Sequence, residues 1–225
     1  MQWKTEGETN MGYSTILFDM DGTVLDTLQD LWASTNAVLR DLGHPERSLD
    51  DIRSYVGNGA MNQIRRAMPE GSSEAELADA LARYQAHYAV HCRDHTKPYD
   101  GLMPVLRQLR AAGKKLAVVS NKPDRAVKLL SAEHFGALMH VSIGETPTLR
   151  RKPAPDTVDA ALAALGMPKE GAVYVGDSEV DVETAKNAGL PLIAVSWGFR
   201  GRAALEAAGA ETVIDRPEEL LHLCL

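Results

Sequence analysis

A chain of 225 residues, 44% hydrophobic and 24% charged, is long enough for one large or two modest globular domains with a sizeable core. Its net charge of −7 argues against a general affinity for nucleic acid or anionic membrane, so positive contacts to an anionic substrate must be local. No apolar run reaches bilayer-spanning length, and two cysteines, Cys92 and Cys224, make no disulfide framework, which favours a reducing cytoplasm.

Residues 1–13 are polar, lack the apolar region of a secretory signal and read as a flexible leader. The apolar run 15–18 reads as a buried strand that stops at Asp19, with Asp21 two residues on and Gly22 freeing a sharp turn before Thr23. Side-chain alternation lets Asp19 and Asp21 share one side of the strand end, where open α/β sheets place their chemistry. Two carboxylates there repel one another unless a cation intervenes, and a hard divalent ion such as Mg2+ is the simplest. From Leu28 through Leu31, Trp32, Val38 and Leu39 the apolar spacing becomes helical, up to Gly43. Residues 49–56 and 60–68 read as two more helices split by Gly57-Asn58-Gly59, and 73–92 as a longer one. About seventy residues without a strand exceed any ordinary connection, so 27–96 is expected to be an inserted all-helical domain. Its crossings near Thr27 and Lys97-Pro98 are the expected hinges, and 14–26 with 97–225 form the core domain.

Beyond Tyr99 strand and helix alternate. Strands are expected at 115–119, 141–143, 172–175, 192–195 and 212–214, with helices at 102–112, 124–133, 155–165, 180–188 and the C-terminus. The fold class is therefore α/β, a Rossmann-like parallel sheet with helices on both faces. Right-handed crossovers gather the C-terminal strand ends along one edge, so chemistry belongs just after each strand. Ser120 and Asn121 follow the second strand of the core. Their hydroxyl and amide suit a phosphoryl oxygen, but they would equally cap the next helix. Lys152, in Arg150-Arg151-Lys152-Pro153, is a point charge able to balance phosphate and carboxylates, while Arg150 and Arg151 read as exposed. In Gly176-Asp177-Ser178-Glu179-Val180-Asp181, two acids four apart at a helix start can face one way, a spacing that capping alone does not require.

Asp19-x-Asp21-Gly22-Thr23, Ser120, Lys152 and Gly176-Asp177-x-x-x-Asp181, in that order, resemble the four motifs of the haloacid dehalogenase-like (HAD) phosphohydrolases from about Thr15 onward. The helical insertion resembles the cap of their first subclass. The resemblance implies that Asp19 is a nucleophile forming an aspartyl-phosphate, that Asp21 is the general acid and base, and that Lys152 neutralises charge. It implies Mg2+ held by the Asp19 side chain, the Asp21 main-chain carbonyl and Asp177, with Asp181 acting through water or by orienting Lys152. Ser120, Asn121 and the Gly22 and Thr23 amides would bind the phosphoryl oxygens. The second aspartate separates the chain from the haloalkanoate dehalogenases, which lack it.

In the insertion, Tyr55-Val56-Gly57-Asn58-Gly59-Ala60 resembles a cap segment of phosphoglycolate phosphatases. The amides of Gly57, Asn58 and Gly59 could approach a substrate carboxylate, or the loop could be a plain interhelical turn. Arg65 or Arg66 would add a positive contact. The expectation is a Mg2+-dependent phosphatase acting on a small phosphorylated metabolite, 2-phosphoglycolate first, in the cytoplasm, as a monomer or homodimer without nucleic acid or membrane partners. A β-phosphoglucomutase-like mutase, a pyrophosphatase or nucleotidase, and a catalytically idle binding module are the alternatives. His87, His91 and His95 recur every four residues beside Cys92, a spacing that suits a metal stripe but more simply a solvated helix face.

Overall fold

The computed structural model describes residues 12–225, so the leader expected over 1–13 lies almost wholly outside the described residues. Strand β1 (Thr15–Phe18) is buried on both faces, as a continuous apolar run demands. It occupies the middle of a six-stranded sheet ordered β5-β4-β1-β6-β7-β8. The other strands are β4 (Lys115–Pro123), β5 (Val141–Glu145), β6 (Ala172–Gly176), β7 (Leu192–Val195) and β8 (Val213–Ile214), and every pairing in this sheet is parallel. Alternate residues of β1 enter different cores. Ile16 and Phe18 pack with Leu102, Leu106 and Val173, whereas Leu17 packs with Val158, Leu162 and Ala185. Helices therefore cover both faces: α5 (Leu102–Ala111), α6 (Asp124–His134), α7 (Asp156–Leu165), α8 (Glu179–Ala188), α9 (Arg202–Ala207) and α10 (Glu219–Cys224).

The register places the chemistry. Phe18 lies level with Val118 on one side and Val175 on the other. Asp19, the Ser120–Lys122 segment and Gly176-Asp177 consequently meet at one rim of the sheet, where the strand order switches from β4 and β5 on one side of β1 to β6 on the other. Strand β4 runs past the expected end at 119 and includes Ser120, Asn121 and Lys122, with a register irregularity between Val119 and Pro123.

Four helices separate β1 from the rest of the sheet: α1 (Leu28–Asp41), α2 (Leu49–Tyr55), α3 (Ala60–Ala67) and α4 (Glu74–His91). Helices α2 and α4 begin with reciprocal capping boxes, Ser48 with Asp51 and Ser73 with Glu76, which fixes their starts within a residue of expectation. The crossings are more ordered than the sequence indicates. Strands β2 (Leu25–Asp26) and β3 (Lys97–Pro98) pair antiparallel there. Asp30 on α1, 1% exposed, accepts the His95 and Thr96 amides at 3.0 and 2.9 Å and the Thr96 hydroxyl at 2.8 Å, tying the outgoing chain to the incoming one. Helix α9 and a short 3-10 turn at Gly136–Leu138 were not expected; neither is long enough to show a period. Among the described residues no helix is long and apolar enough to cross a membrane.

Candidate active site

At the rim, the Lys152 ammonium lies 2.7 Å from Asp19 Oδ1 and 2.9 Å from Asp181 Oδ1, and it donates to the Tyr174 hydroxyl at 3.1 Å. Tyr174, on β6, donates its own hydroxyl hydrogen bond to Asp181 Oδ1 at 3.0 Å. Asp181 Oδ2 accepts from the Asp177 amide, the Ser178 amide and the Ser178 hydroxyl. With both oxygens so engaged and no exposure, Asp181 is a fixed anchor for Lys152. Asp177 is held by the Thr23 hydroxyl at 2.9 Å and by the Phe199 amide at 2.8 Å. Gly22 is required beside it: φ is +85°, and a Cβ there would lie 2.3 Å from Asp177 Oδ2.

Asp19, Asp177 and Asp181 offer carboxylate oxygens within 4.8 Å of one another, the one such three-residue group among the described residues. With all three acids ionised against one ammonium, the site would carry two uncompensated negative charges. Burial pushes the Asp19 carboxyl well above its usual range; Lys152 pulls it back, while Asp181 and Asp177 push it further up. Burial, then Asp181, raises Asp177 to about 7. Burial opposes the Lys152 charge, yet Asp181 and Asp19 outweigh it and hold the ammonium well above the ordinary lysine value. Crowded carboxylate oxygens that resist ionising together fit a hard divalent cation, which would take the place of the protons.

Asp21 stands apart from that group. Its Oδ1 accepts the Thr27 hydroxyl at 2.6 Å and lies 3.1 Å from the Lys122 ammonium, which also donates to the Tyr88 hydroxyl of α4 at 2.7 Å. Ser120 is buried and its hydroxyl accepts the Lys122 amide, while α6 has Pro123 at its N-cap and no side-chain cap bond. Capping is thus not what Ser120 and Asn121 do. The Asn121 side chain joins loops instead. It donates to the carbonyls of Lys152 and Gly57 at 2.9 and 3.0 Å and accepts the Lys152 amide at 2.7 Å. The Gly22 and Thr23 amides, expected at the phosphoryl group, donate to the carbonyls of Leu25 and Met20.

A cavity of about 470 Å³ opens between the rim and the helices, bordered by Asp19, Asp21, Ser120 and Lys152 below and by Val56, Gly57, Gly59 and Tyr88 above. Asn58 is not in its wall. The Gly57-Asn58-Gly59 loop turns carbonyls toward the core: Gly57 O accepts from Asn121 and Asn58 O from Arg151 at 3.2 Å. Arg200, after β7, adds bonds to the Arg53 and Val56 carbonyls at 2.7 and 2.6 Å. Arg65 pairs with Glu74 and Arg66 bonds the Ser54 carbonyl, and neither borders the cavity. Arg150 is exposed on Asp156, as expected, whereas Arg151 reaches across to the insertion. His87, His91 and His95 take separate partners, Ser34, Asp94 and Asp30; the His87 and His91 rings stack at 4.3 Å, but the three form no metal-ligating group among the described residues. Tyr174, Lys122, Tyr88 and Arg200 escaped sequence reasoning. For Lys122 and Arg200 a signal existed, since both follow apolar strand runs at the same rim.

A family model described as haloacid dehalogenase-like hydrolase matches residues 16–195, and the chain belongs to that family. It is 34% identical over 215 residues to the phosphoglycolate phosphatase of Pseudomonas putida, covering 93% of this chain and 79% of that one. It is 31% identical over 210 residues to the plasmid phosphoglycolate phosphatase of Cupriavidus necator, covering 92% and 91%. A solved structure from Lactobacillus delbrueckii subsp. bulgaricus, for which phosphoglycolate phosphatase is an assigned and unproven name, superposes with a TM-score of 0.91 at 35% identity over 96% of this chain and 99% of that one. CbbY of Rhodobacter sphaeroides, solved in complex with phosphate, gives 0.73 at 26% identity over 95% and 100%. Within its family, the chain is an enzyme, a phosphoric monoester hydrolase.

Proposed function

We propose that the chain is a Mg2+-dependent phosphatase that hydrolyses a small phosphate monoester, 2-phosphoglycolate foremost, through an aspartyl-phosphate on Asp19. The observation that carries this reading is the convergence of Lys152 on Asp19 and Asp181, at 2.7 and 2.9 Å, with Asp177 in the same carboxylate group. Relatives named phosphoglycolate phosphatase over most of the chain support the choice of ester.

A carboxylate oxygen of Asp19 attacks phosphorus and the bond from phosphorus to the ester oxygen breaks. Asp21 gives its proton to the departing alkoxide, then takes one from the water that attacks the phosphoenzyme, freeing Asp19 and phosphate. Lys152, fixed by Asp181 and Tyr174, lowers the repulsion between the nucleophile and the phosphate dianion. Asp19, Asp177 and the Asp21 main-chain carbonyl would hold Mg2+, which when bound supplies the remaining neutralisation. Ser120 borders the cavity beside Asp19 and contributes its hydroxyl to the phosphoryl oxygens. In this scheme 14–26 and 97–225 are the catalytic core, and 27–96 is a cap that shields the first transfer from water. The enzyme works as a monomer or homodimer on a dissolved metabolite of the cytoplasm.

Phosphate release from a panel of small esters, with and without Mg2+, tests the activity. Phosphoglycolate should lead the panel, and turnover that needs a bisphosphate primer would instead indicate a sugar-phosphate mutase. Asp19→Asn should lower turnover by about 10⁴-fold or more, and Asp21→Asn should leave a trappable phosphoenzyme. Near-normal turnover by Asp19→Asn would remove the covalent mechanism.

A further inference from the structure

We propose that Lys122 reads an anionic group on the leaving-group side of the substrate, a carboxylate in the case of phosphoglycolate; this role rests on the phosphatase activity proposed above. The cavity holds two buried lysines in unlike situations. Lys152 is balanced by two carboxylates, Asp19 at 2.7 Å and Asp181 at 2.9 Å, and donates to the Tyr174 hydroxyl. Lys122, 6% exposed in the cavity wall, faces a single carboxylate, Asp21 at 3.1 Å, donates to the Tyr88 hydroxyl at 2.7 Å and lies 4.4 Å from the centre of that ring.

Its position gives that charge a use. Asp21 is the carboxylate that meets the ester oxygen, so an ammonium 3.1 Å from it stands at the leaving-group end, while Lys152 stands at the phosphoryl end. In a glycolate ester the carboxylate begins one carbon beyond that oxygen, within reach of a cation beside Asp21. The other candidates on that side are otherwise engaged. Arg65 and Arg66 lie outside the cavity wall, and the Gly57-Asn58-Gly59 loop directs two carbonyls to the core. The Gln63 amide donates to Thr35 at 2.8 Å. Arg125 borders the mouth but is exposed, where water and salt screen it. The surrounding wall, with Val56, Ala60 and Tyr84, is apolar, so a carboxylate brought there gains more from Lys122 than it would in water.

The test is a matched pair of esters, 2-phosphoglycolate and ethyl phosphate, which differ in the carboxylate. In saturating Mg2+ the wild-type protein should favour phosphoglycolate in kcat/KM by about a hundredfold, the worth of one charge-assisted hydrogen bond in a shielded site. Lys122→Met should bring that ratio below about tenfold, chiefly through a higher KM for phosphoglycolate. Lys122→Gln keeps a donor for Tyr88 and serves the same comparison if the methionine variant does not fold. Equal use of both esters by the wild type, or an unchanged ratio in the variants, overturns the role of Lys122 and leaves the phosphatase intact. Release of phosphate from neither ester would overturn the phosphatase activity and this role together.

Discussion

At the sheet rim, Lys152, Asp181, Tyr174 and Ser178 satisfy one another through side chains that admit little substitution. Across the cavity, the 53–58 edge of the insertion is gripped through its main chain, Arg200, Asn121 and Arg151 taking its carbonyls, while Tyr88 on α4 is held through its side chain by Lys122. One wall is specified by side-chain chemistry and this edge of the other by backbone shape. An edge attached through carbonyls can change its side chains without losing its seat, which suits the part of an enzyme that faces a variable leaving group.

Breaking the rim should have the larger effect. Lys152→Met leaves Asp19 and Asp181 facing each other uncompensated, and should lower turnover by about 10²–10³-fold and stability by about 3–5 kcal/mol, read by steady-state kinetics and denaturant melts. Arg200→Ala tests the other wall. Loss of its two bonds to carbonyls should reduce kcat/KM about tenfold, mainly through KM, with chemistry in the bound state little changed. An equal fall in kcat would mean that Arg200 serves the reaction itself.

Removal of the divalent cation sharpens the contrast through pH. Asp19 and Asp177 are raised by burial, Asp177 to about 7, so between the ordinary carboxylate range and neutrality the folded chain binds more protons than the unfolded one. Stability in EDTA should therefore rise as pH falls from 8 towards 5.5 and decline as pH rises through about 7. The melting temperature should move by several degrees, and Mg2+ should flatten the dependence. A melting temperature that falls on mild acidification in EDTA would contradict the crowded-carboxylate picture. The smallest change is expected at the histidine face: His91→Ala removes an exposed contact to Asp94 and should alter stability by less than about 0.5 kcal/mol in a denaturant melt.

The rim was legible in the sequence because its acids follow apolar runs directly. The end of such a run marks both the end of a buried strand and the edge of the sheet, which locates Asp19 and Asp177 without long-range information. Lys152 stood out through the prolines beside it. The partners that make the rim work were not legible in the same way. Tyr174 sits inside an apolar strand and looks like core, and the pairing of Lys122 with Tyr88 joins a strand end to a helix of the insertion. The Gly57-Asn58-Gly59 loop shows why composition stops short. Glycines announce a turn, but whether the turn presents amides or carbonyls depends on what packs against it, here Asn121 and Arg151. Asn121 shows a related limit, since an amide that suits a phosphoryl oxygen suits a neighbouring loop equally well. Two-residue strands such as β2 and β3 have no period to detect.

Those two short strands carry a topological consequence. Asp26 pairs with Lys97 and Leu25 with Pro98, so the chain departs from the sheet and returns to it across a ladder of two pairs, with Cα atoms about 5 Å apart. Everything between is a closed excursion whose endpoints nearly coincide. A tight turn could bridge them, and a foreign helical bundle with similarly spaced ends could be spliced in without disturbing a strand of the large sheet, so that on the mechanism proposed above the rim and the insertion would be interchangeable parts.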